Sequence, residues 1–147
     1  MPRILGLDYG EKRLGFALSD TSEIIAMPLR VVVLRRPEDA LNETLKVCAE
    51  SKADEFVVGL PINMDGSKGP AAQKVLAFVE KISAQLKIPV RTWDERLSTK
   101  AATNVLIEAG TSRQRRKEVV DKLAAQIMLQ NFLDARMNAR ERDSLAP

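Results

Sequence analysis

Residues 3–19 read RILGLDYGEKRLGFALS, and this stretch decides the fold. The two apolar runs 3–8 and 14–19 are typical of strands, and the polar, glycine-containing segment YGEKR between them is typical of a turn. A third apolar run, 27–34, is also strand-like. Because short links join antiparallel neighbours, the chain is predicted to open with a three-stranded antiparallel meander.

The middle of the chain alternates helices with strands. Apolar residues recur at three- and four-residue spacing over 37–51 and 70–86, which predicts two helices. The runs at 55–60 and 89–93 predict two strands, which are added parallel because crossover helices connect them. The expected fold class is therefore α/β, with a mixed five-stranded sheet, three antiparallel strands and then two parallel ones, flanked by helices.

Two more helices are predicted near the end of the chain, at about 99–109 and 119–137. Residues 138–147 lack apolar periodicity, and we expect them to be a frayed tail. With 147 residues in all, the chain has the length of one domain, which we place at 1–137.

Two absences limit the chemistry of the chain. It contains no histidine, so Ser-His-Asp triads and histidine-ligated zinc are excluded within it. Its one cysteine, Cys48, excludes an internal disulfide and is interpreted as a buried apolar filler. Acid–base or metal chemistry must then rest on Asp, Glu, Lys or hydroxyl groups, and carboxylate oxygens favour Mg²⁺ or Mn²⁺.

The composition is that of a globular protein, with 45% hydrophobic and 29% charged residues. No apolar run approaches the roughly 20 residues that span a bilayer, and the amino terminus does not resemble a secretory signal. We therefore expect a cytoplasmic protein with no membrane partner. The net charge of +3 permits an anionic partner without requiring one.

Acidic residues stand out at three places in the predicted fold. Asp8 ends the first strand, and Asp94 and Glu95 end the fifth, at the sheet edge where open α/β sheets bind ligands. Asp121 is in the last helix, at the border of its apolar stripe. Each also has a simpler interpretation: a turn aspartate, solvated carboxylates near a helix start, and a helix-dipole aspartate that faces water.

If the three carboxylates converge, they need a cation. Two unit charges about 4 Å apart repel by about 4 kcal/mol at an effective dielectric near 20. A divalent ion would relieve that repulsion and act as a Lewis acid in phosphodiester cleavage. Metal-dependent hydrolysis is therefore the first hypothesis.

Four ordered motifs resemble the YqgF family, also called RuvX, over roughly residues 2–137. They are LDYGEKRLGFALSD (7–20), VVGLPINMDGSKGPAA (57–72), WDERLSTKAA (93–102) and VVDKLAAQIMLQNFLD (119–134). This family consists of ribonuclease-H-like proteins described as Holliday junction resolvases and as nucleases that mature the precursor of small-subunit ribosomal RNA. The strand and helix order worked out above is also that of a ribonuclease-H-like fold.

The resemblance implies a set of catalytic and metal-binding carboxylates. The family's first-strand aspartate matches Asp8, the glutamate of its Asp-Glu-Arg motif matches Glu95, and the aspartate opening its last helix matches Asp121. Asp94 is a further candidate ligand. These residues are expected to hold one or two Mg²⁺ or Mn²⁺ ions, with a metal-bound water as the nucleophile.

Basic and polar residues near this edge are candidates for nucleic-acid contacts. They are Lys12, Arg13, Asn63, Ser67, Arg96, Arg113, Arg115, Arg116 and Lys117. The last four belong to RQRRK (113–117), interpreted as a basic loop between the last two helices, although charge runs are more often solvated faces. Tyr9 and Trp93 are candidate platforms for base stacking.

We therefore expect a metal-dependent nuclease that matures the 5′ end of pre-16S rRNA in ribosome biogenesis. Three alternatives remain open: a Holliday junction resolvase acting on branched DNA, a non-catalytic nucleic-acid-binding ribosome-assembly factor, and an actin-like ATPase. The last needs two such domains, and the chain has the length of one. Ribosomal precursor particles are candidate partners, and both a monomer and a homodimer remain open.

Overall fold

A computed structural model of the chain describes residues 3–97 and 113–145, and the side chains of residues 3–96 and 123–140. The strands are β1 (Ile4–Tyr9), β2 (Arg13–Ser19), β3 (Ala26–Val33), β4 (Glu55–Leu60) and β5 (Val90–Asp94). The helices are α1 (Ala40–Ser51), α2 (Pro70–Gln85) and α3 (Arg113–Leu145), with 3₁₀ turns at Pro37–Asp39 and Glu95–Leu97. The predicted helix over 99–109 lies outside the described residues.

The five strands form one mixed sheet in the order β3-β2-β1-β4-β5. β1 is antiparallel to β2 and β2 to β3, whereas β4 is parallel to both β1 and β5. The predicted three antiparallel and two parallel strands are therefore confirmed. The carboxyl ends of β1, β4 and β5 consequently meet at one edge of the sheet.

Strand alternation divides the core between the two faces of the sheet. Leu5 and Leu7 of β1 belong to a buried cluster that includes residues of α1 and α2. Ile4 belongs to a second cluster, with Val57 and the buried residues of α3. Because side chains on a strand alternate, Asp8 lies on the α3 face.

Helix α3 lies close against the sheet. A β-carbon on Gly6 would be 3.1 Å from the β-carbon of Leu129, so bare backbone is what allows this approach. Two glutamines bind α3 to the start of β3: the backbone amide of Ala26 donates to Gln130 (2.9 Å), and Gln126 donates to the carbonyl of Ala26 (3.1 Å).

The carboxyl-terminal half of α3 is held by a charged network. Arg136 donates to both carboxylate oxygens of Glu55, at 2.8 and 2.5 Å, and lies 4.4 Å from the ring centre of Phe132. Arg136 and Arg140 both pair with Glu23, at 3.3 Å. This network connects α3 to β4 and to the turn before β3.

Helix α3 is longer than its apolar stripe predicts, and both predicted ends, 119 and 137, were wrong. It begins at Arg113, so RQRRK (113–117) is helical rather than a loop, and it continues to Leu145. Arg, Gln, Lys and Glu are good helix formers, which favours helix at both ends without an apolar pattern. The division into a domain at 1–137 and a tail at 138–147 stays a prediction.

In the described part of the chain, no helix is long and apolar enough to cross a membrane.

Candidate active site

The candidate site is built on the carboxyl ends of three parallel strands. Leu7 of β1 pairs with Val58 of β4, so Asp8 and Gly59 are the next residues on their strands. Gly59 in turn pairs with Trp93 of β5. β4 therefore runs between Asp8 on one side and the end of β5 on the other.

Glu95 crosses β4 to reach Asp8. It begins the 3₁₀ turn after β5, and its side chain lies directly over Gly59, where a β-carbon would be 2.7 Å from the Glu95 carboxyl carbon. At its far end, the carboxyl group of Glu95 forms a hydrogen bond with Asp8. Two acidic groups that are remote in the sequence are thus brought into contact.

The pKa of Glu95 reflects its burial and its repulsion by neighbouring carboxylates. Burial, and then the negative charge of Asp8, the hydrogen bond with Asp8 and the charge of Asp94, raise the pKa of Glu95 to about 8. At neutral pH the pair therefore keeps one proton, which offsets the repulsion between the two carboxyl groups. A divalent ion carries two positive charges and would offset this repulsion more strongly than a proton does.

Asp94, the further candidate ligand, contacts Arg96 in the structure, and its part in ion binding stays a prediction. Its carboxylate accepts hydrogen bonds from the backbone amide of Arg96 (2.9 Å) and from the Arg96 side chain (2.8 Å). These hydrogen bonds hold the pKa of Asp94 below its usual value. They also close the turn after β5, from which the Glu95 side chain turns back over β4.

The donor set suits a hard divalent ion. Asp8 and Glu95 offer carboxylate oxygens, the ligands that Mg²⁺ and Mn²⁺ prefer. Within residues 3–96 and 123–140, no group of three acidic or cysteine side chains could hold a metal. The third predicted ligand, Asp121, lies within α3, and its side chain is outside the described residues.

The loop after β4 is internally hydrogen-bonded. Asn63 donates to the hydroxyl of Ser67 (3.0 Å), and both the hydroxyl and the backbone amide of Ser67 donate to Asp65 (2.6 and 2.9 Å). Arg96 lies beside this loop, since a β-carbon on Gly66 would be 3.8 Å from its guanidinium. The predicted contact residues Asn63, Ser67 and Arg96 thus form one polar surface.

The other predicted basic residues lie on two elements. Lys12 is exposed in the turn between β1 and β2, and Arg13 is half-buried at the start of β2. Arg113, Arg115, Arg116 and Lys117 occupy the first two turns of α3, and their side chains are outside the described residues. Whether these residues contact nucleic acid stays a prediction.

The aromatic residues Tyr9 and Trp93 are half-buried and each packs against another ring. The rings of Tyr9 and Phe78 are 4.7 Å apart, and Trp93 meets Phe132 edge-on at 5.8 Å. Both candidates for base stacking therefore have a ring partner already. Cys48 is buried as expected, and burial raises the pKa of its thiol to about 11.

Two residues of the site were missed by sequence reasoning. Gly59 underlies Glu95, and Asp65 organises the loop beside it. A glycine inside the apolar run EFVVGL was the available signal for the first, since a glycine within a strand often marks a close approach. The role of Asp65 had no signal beyond its position in a polar loop.

Comparisons with known proteins agree with this architecture. A family model described as "RuvX: Holliday junction resolvase" matches residues 2–135. A relative from Halothermothrix orenii named "Putative pre-16S rRNA nuclease" is 46% identical, covering 90% of this chain and 94% of its own. A relative of the same name from Desulforamulus reducens is 44% identical, with 90% and 97% covered.

Two solved structures share the fold. RuvC of T. thermophilus, in complex with a Holliday junction, is 21% identical with a TM-score of 0.57, covering 93% of this chain and 96% of that one. The Fowlpox virus resolvase in complex with junction DNA is 13% identical with a TM-score of 0.51, covering 98% and 99%. The predicted ribonuclease-H-like fold is thereby confirmed. From the family model and the relatives it follows that this chain belongs to the RuvX family of Holliday junction resolvases.

Proposed function

We propose that this chain is a divalent-metal-dependent endonuclease that hydrolyses phosphodiester bonds in pre-16S rRNA. The observation that carries the proposal is the contact between Asp8 and Glu95 at the carboxyl edge of the sheet. Two acidic groups in contact are unfavourable by themselves, and a shared cation is the usual reason for such an arrangement at a ligand-binding edge.

Asp121 is the third proposed ligand. Position 121 precedes Ala125 and Met128 by four and seven residues on a continuous helix, so the three positions fall on one stripe. Ala125 and Met128 are buried, and Met128 lies 3.3 Å from where a β-carbon on Gly6 would be. Gly6 is two residues before Asp8 on the same face of β1, and the contact of this stripe with Gly6 supports Asp121 as a ligand of the same ion.

The proposed division of labour follows from these positions. Asp8, Glu95 and Asp121 would hold one or two Mg²⁺ or Mn²⁺ ions, which supply Lewis acidity and lower the pKa of water. Arg96, Asn63 and Ser67, on one polar surface next to Glu95, would hold phosphates of the substrate. Lys12 and Arg13, which follow β1 by a short turn, would contact the backbone on the other side.

The substrate is argued from the relatives. The curated relatives are named for pre-16S rRNA, and the chain covers nearly their whole length. The family description names Holliday junctions instead, so junction DNA is the second candidate. A cytoplasmic location and an encounter with ribosomal precursor particles follow from the first candidate, and a homodimer would suit the second.

The test compares the two substrates directly. We expect the protein with Mn²⁺ or Mg²⁺ to shorten a pre-16S rRNA fragment at its 5′ end, to cut a four-way DNA junction more slowly, and to lose both activities in excess chelator. Faster cutting of the junction would favour the second candidate. No cleavage of either substrate with any divalent ion, while RNA is still bound, would support a non-catalytic assembly factor.

The basic start of α3 gives a separate prediction about binding. Each phosphate contact on a single strand contributes about 0.7 to the slope of log Kobs against log salt. Replacing Arg115, Arg116 and Lys117 with Gln is expected to flatten that slope by about 2 in RNA-binding titrations. The matched control replaces three exposed basic residues at the opposite edge of the sheet with Gln, namely Arg3, Lys52 and Lys87, and is expected to leave the slope unchanged. Equal slopes for both variants would remove the start of α3 from the interface.

A further inference from the structure

Gly59 lies where β4 passes between the two acidic strand ends. It is buried, it pairs with Trp93 of β5, and it follows Val58, which pairs with Leu7 of β1. Val57 belongs to the cluster on the α3 face, so strand alternation puts position 59 on that face too. Position 59 therefore faces the same side of the sheet as Asp8.

A side chain at position 59 would collide with Glu95. The three atoms nearest to a β-carbon built there all belong to the Glu95 side chain, with the carboxyl carbon at 2.7 Å and the γ-carbon at 3.0 Å. Real β-carbons essentially never make a contact as short as 2.7 Å. Glu95 can lie over β4 only because the backbone beneath it is bare.

We propose that Gly59 is a positioning residue, whose missing side chain lets the Glu95 carboxyl group reach Asp8 and complete the ion-binding pair. The inference rests on the proposed function, because it assigns the pair to metal binding. Any larger residue at 59 would move the carboxylate away from Asp8, and the two groups could no longer share an ion.

The variant Gly59→Ala is expected to lose metal without losing its fold. The far end of the Glu95 side chain can rotate away, and alanine is favoured over glycine in a strand, so the melting temperature of the metal-free protein should be unchanged or higher. The affinity for Mn²⁺, measured by calorimetry, is expected to fall about tenfold or more. Cleavage is expected to fall about a hundredfold.

A double-mutant cycle separates positioning from a general structural effect. Once Glu95 is replaced by Ala, a methyl group at 59 has nothing to displace. The variant Gly59→Ala/Glu95→Ala is therefore expected to bind Mn²⁺ as Glu95→Ala does and to melt at the same or a higher temperature. If positions 59 and 95 acted independently, the losses of Mn²⁺ affinity in the two single variants would add in the double variant.

Two results would overturn the inference: Mn²⁺ affinity in Gly59→Ala equal to that of the unchanged protein, or a lower melting temperature when the methyl group is added to Glu95→Ala. The proposed function fails differently, if Asp8→Asn binds Mn²⁺ as well as the unchanged protein does. In that case the melting temperatures still decide whether Gly59 makes room for Glu95.

Discussion

Replacing Glu95 with Gln is expected to lower cleavage about a hundredfold or more while making the metal-free protein more stable at alkaline pH. The amide keeps the size of Glu95 and can still donate a hydrogen bond to Asp8, but it supplies no second negative charge. Ion binding should therefore weaken, whereas the unfavourable pair disappears. Opposite effects on activity and stability distinguish a ligand from a residue that merely supports the fold.

The pH dependence of this variant follows from the pKa of Glu95. That pKa is raised from 4.5 to about 8 in the folded protein, so the folded state binds the proton more tightly than the unfolded chain. The resulting stability is fully present below pH 4.5 and is lost as the pH rises through about 8. Glutamine does not ionise, so the variant does not lose this stability between pH 4.5 and about 8.

Thermal unfolding at several pH values measures the effect. In chelator, the melting temperature of the unchanged protein should fall between about pH 5 and 9 more steeply than that of Glu95→Gln, and Mn²⁺ should restore it only in the unchanged protein. The control Glu80→Gln, at an exposed position on α2, should behave like the unchanged protein. If the melting temperatures of the unchanged protein and Glu95→Gln fall equally with pH, the raised pKa of Glu95 is contradicted. Full cleavage by Glu95→Gln would contradict the role of Glu95 as a ligand.

The second large effect is expected for Asp121→Asn. Asparagine keeps the shape of the side chain but removes the third negative charge of the proposed ion site. We expect cleavage to fall about a hundredfold and Mn²⁺ affinity about tenfold, because an ion held by three carboxylates loses one of them. Calorimetry with Mn²⁺ and cleavage under saturating metal measure the two effects separately.

Asp134 provides a matched control on the same helix. Its carboxylate is exposed and accepts a hydrogen bond from Gln130 (3.0 Å), further along α3 than the buried residues that face β1. Asp134→Asn removes one negative charge from α3 without touching the site, so its cleavage and Mn²⁺ affinity should stay unchanged. If Asp121→Asn is as active as Asp134→Asn, position 121 does not hold the ion.

The sheet could be predicted from the sequence because its signals are local. The runs 3–8 and 14–19 are apolar and separated by a glycine-containing turn, and the structure places β1 and β2 within one residue of them. The placement of Asp8 on the same face as Gly6 follows from alternation alone. Sequence reasoning fails at the ends of α3, where helix propensity without an apolar stripe extends the helix.

The site was harder to predict because it depends on contacts between distant residues. Asp94 and Glu95 are adjacent in the sequence and look equivalent as ligands, yet Asp94 binds Arg96 while Glu95 turns back over β4. That difference is decided by a three-residue turn and by the space above Gly59. Neither could be deduced from the spacing of acidic residues, and the resemblance to a family was what selected Glu95.

The attachment of α3 has a consequence for how the protein is made. Hydrogen bonds of Gln126, Gln130 and Arg136 attach α3 to β3 and β4, whose residues are synthesised far earlier. Until α3 emerges, the nascent chain leaves the apolar face around Ile4 and Val57 uncovered, and such surfaces promote aggregation. The same helix carries Asp121, so the proposed site of three carboxylates cannot assemble on a chain that ends before α3.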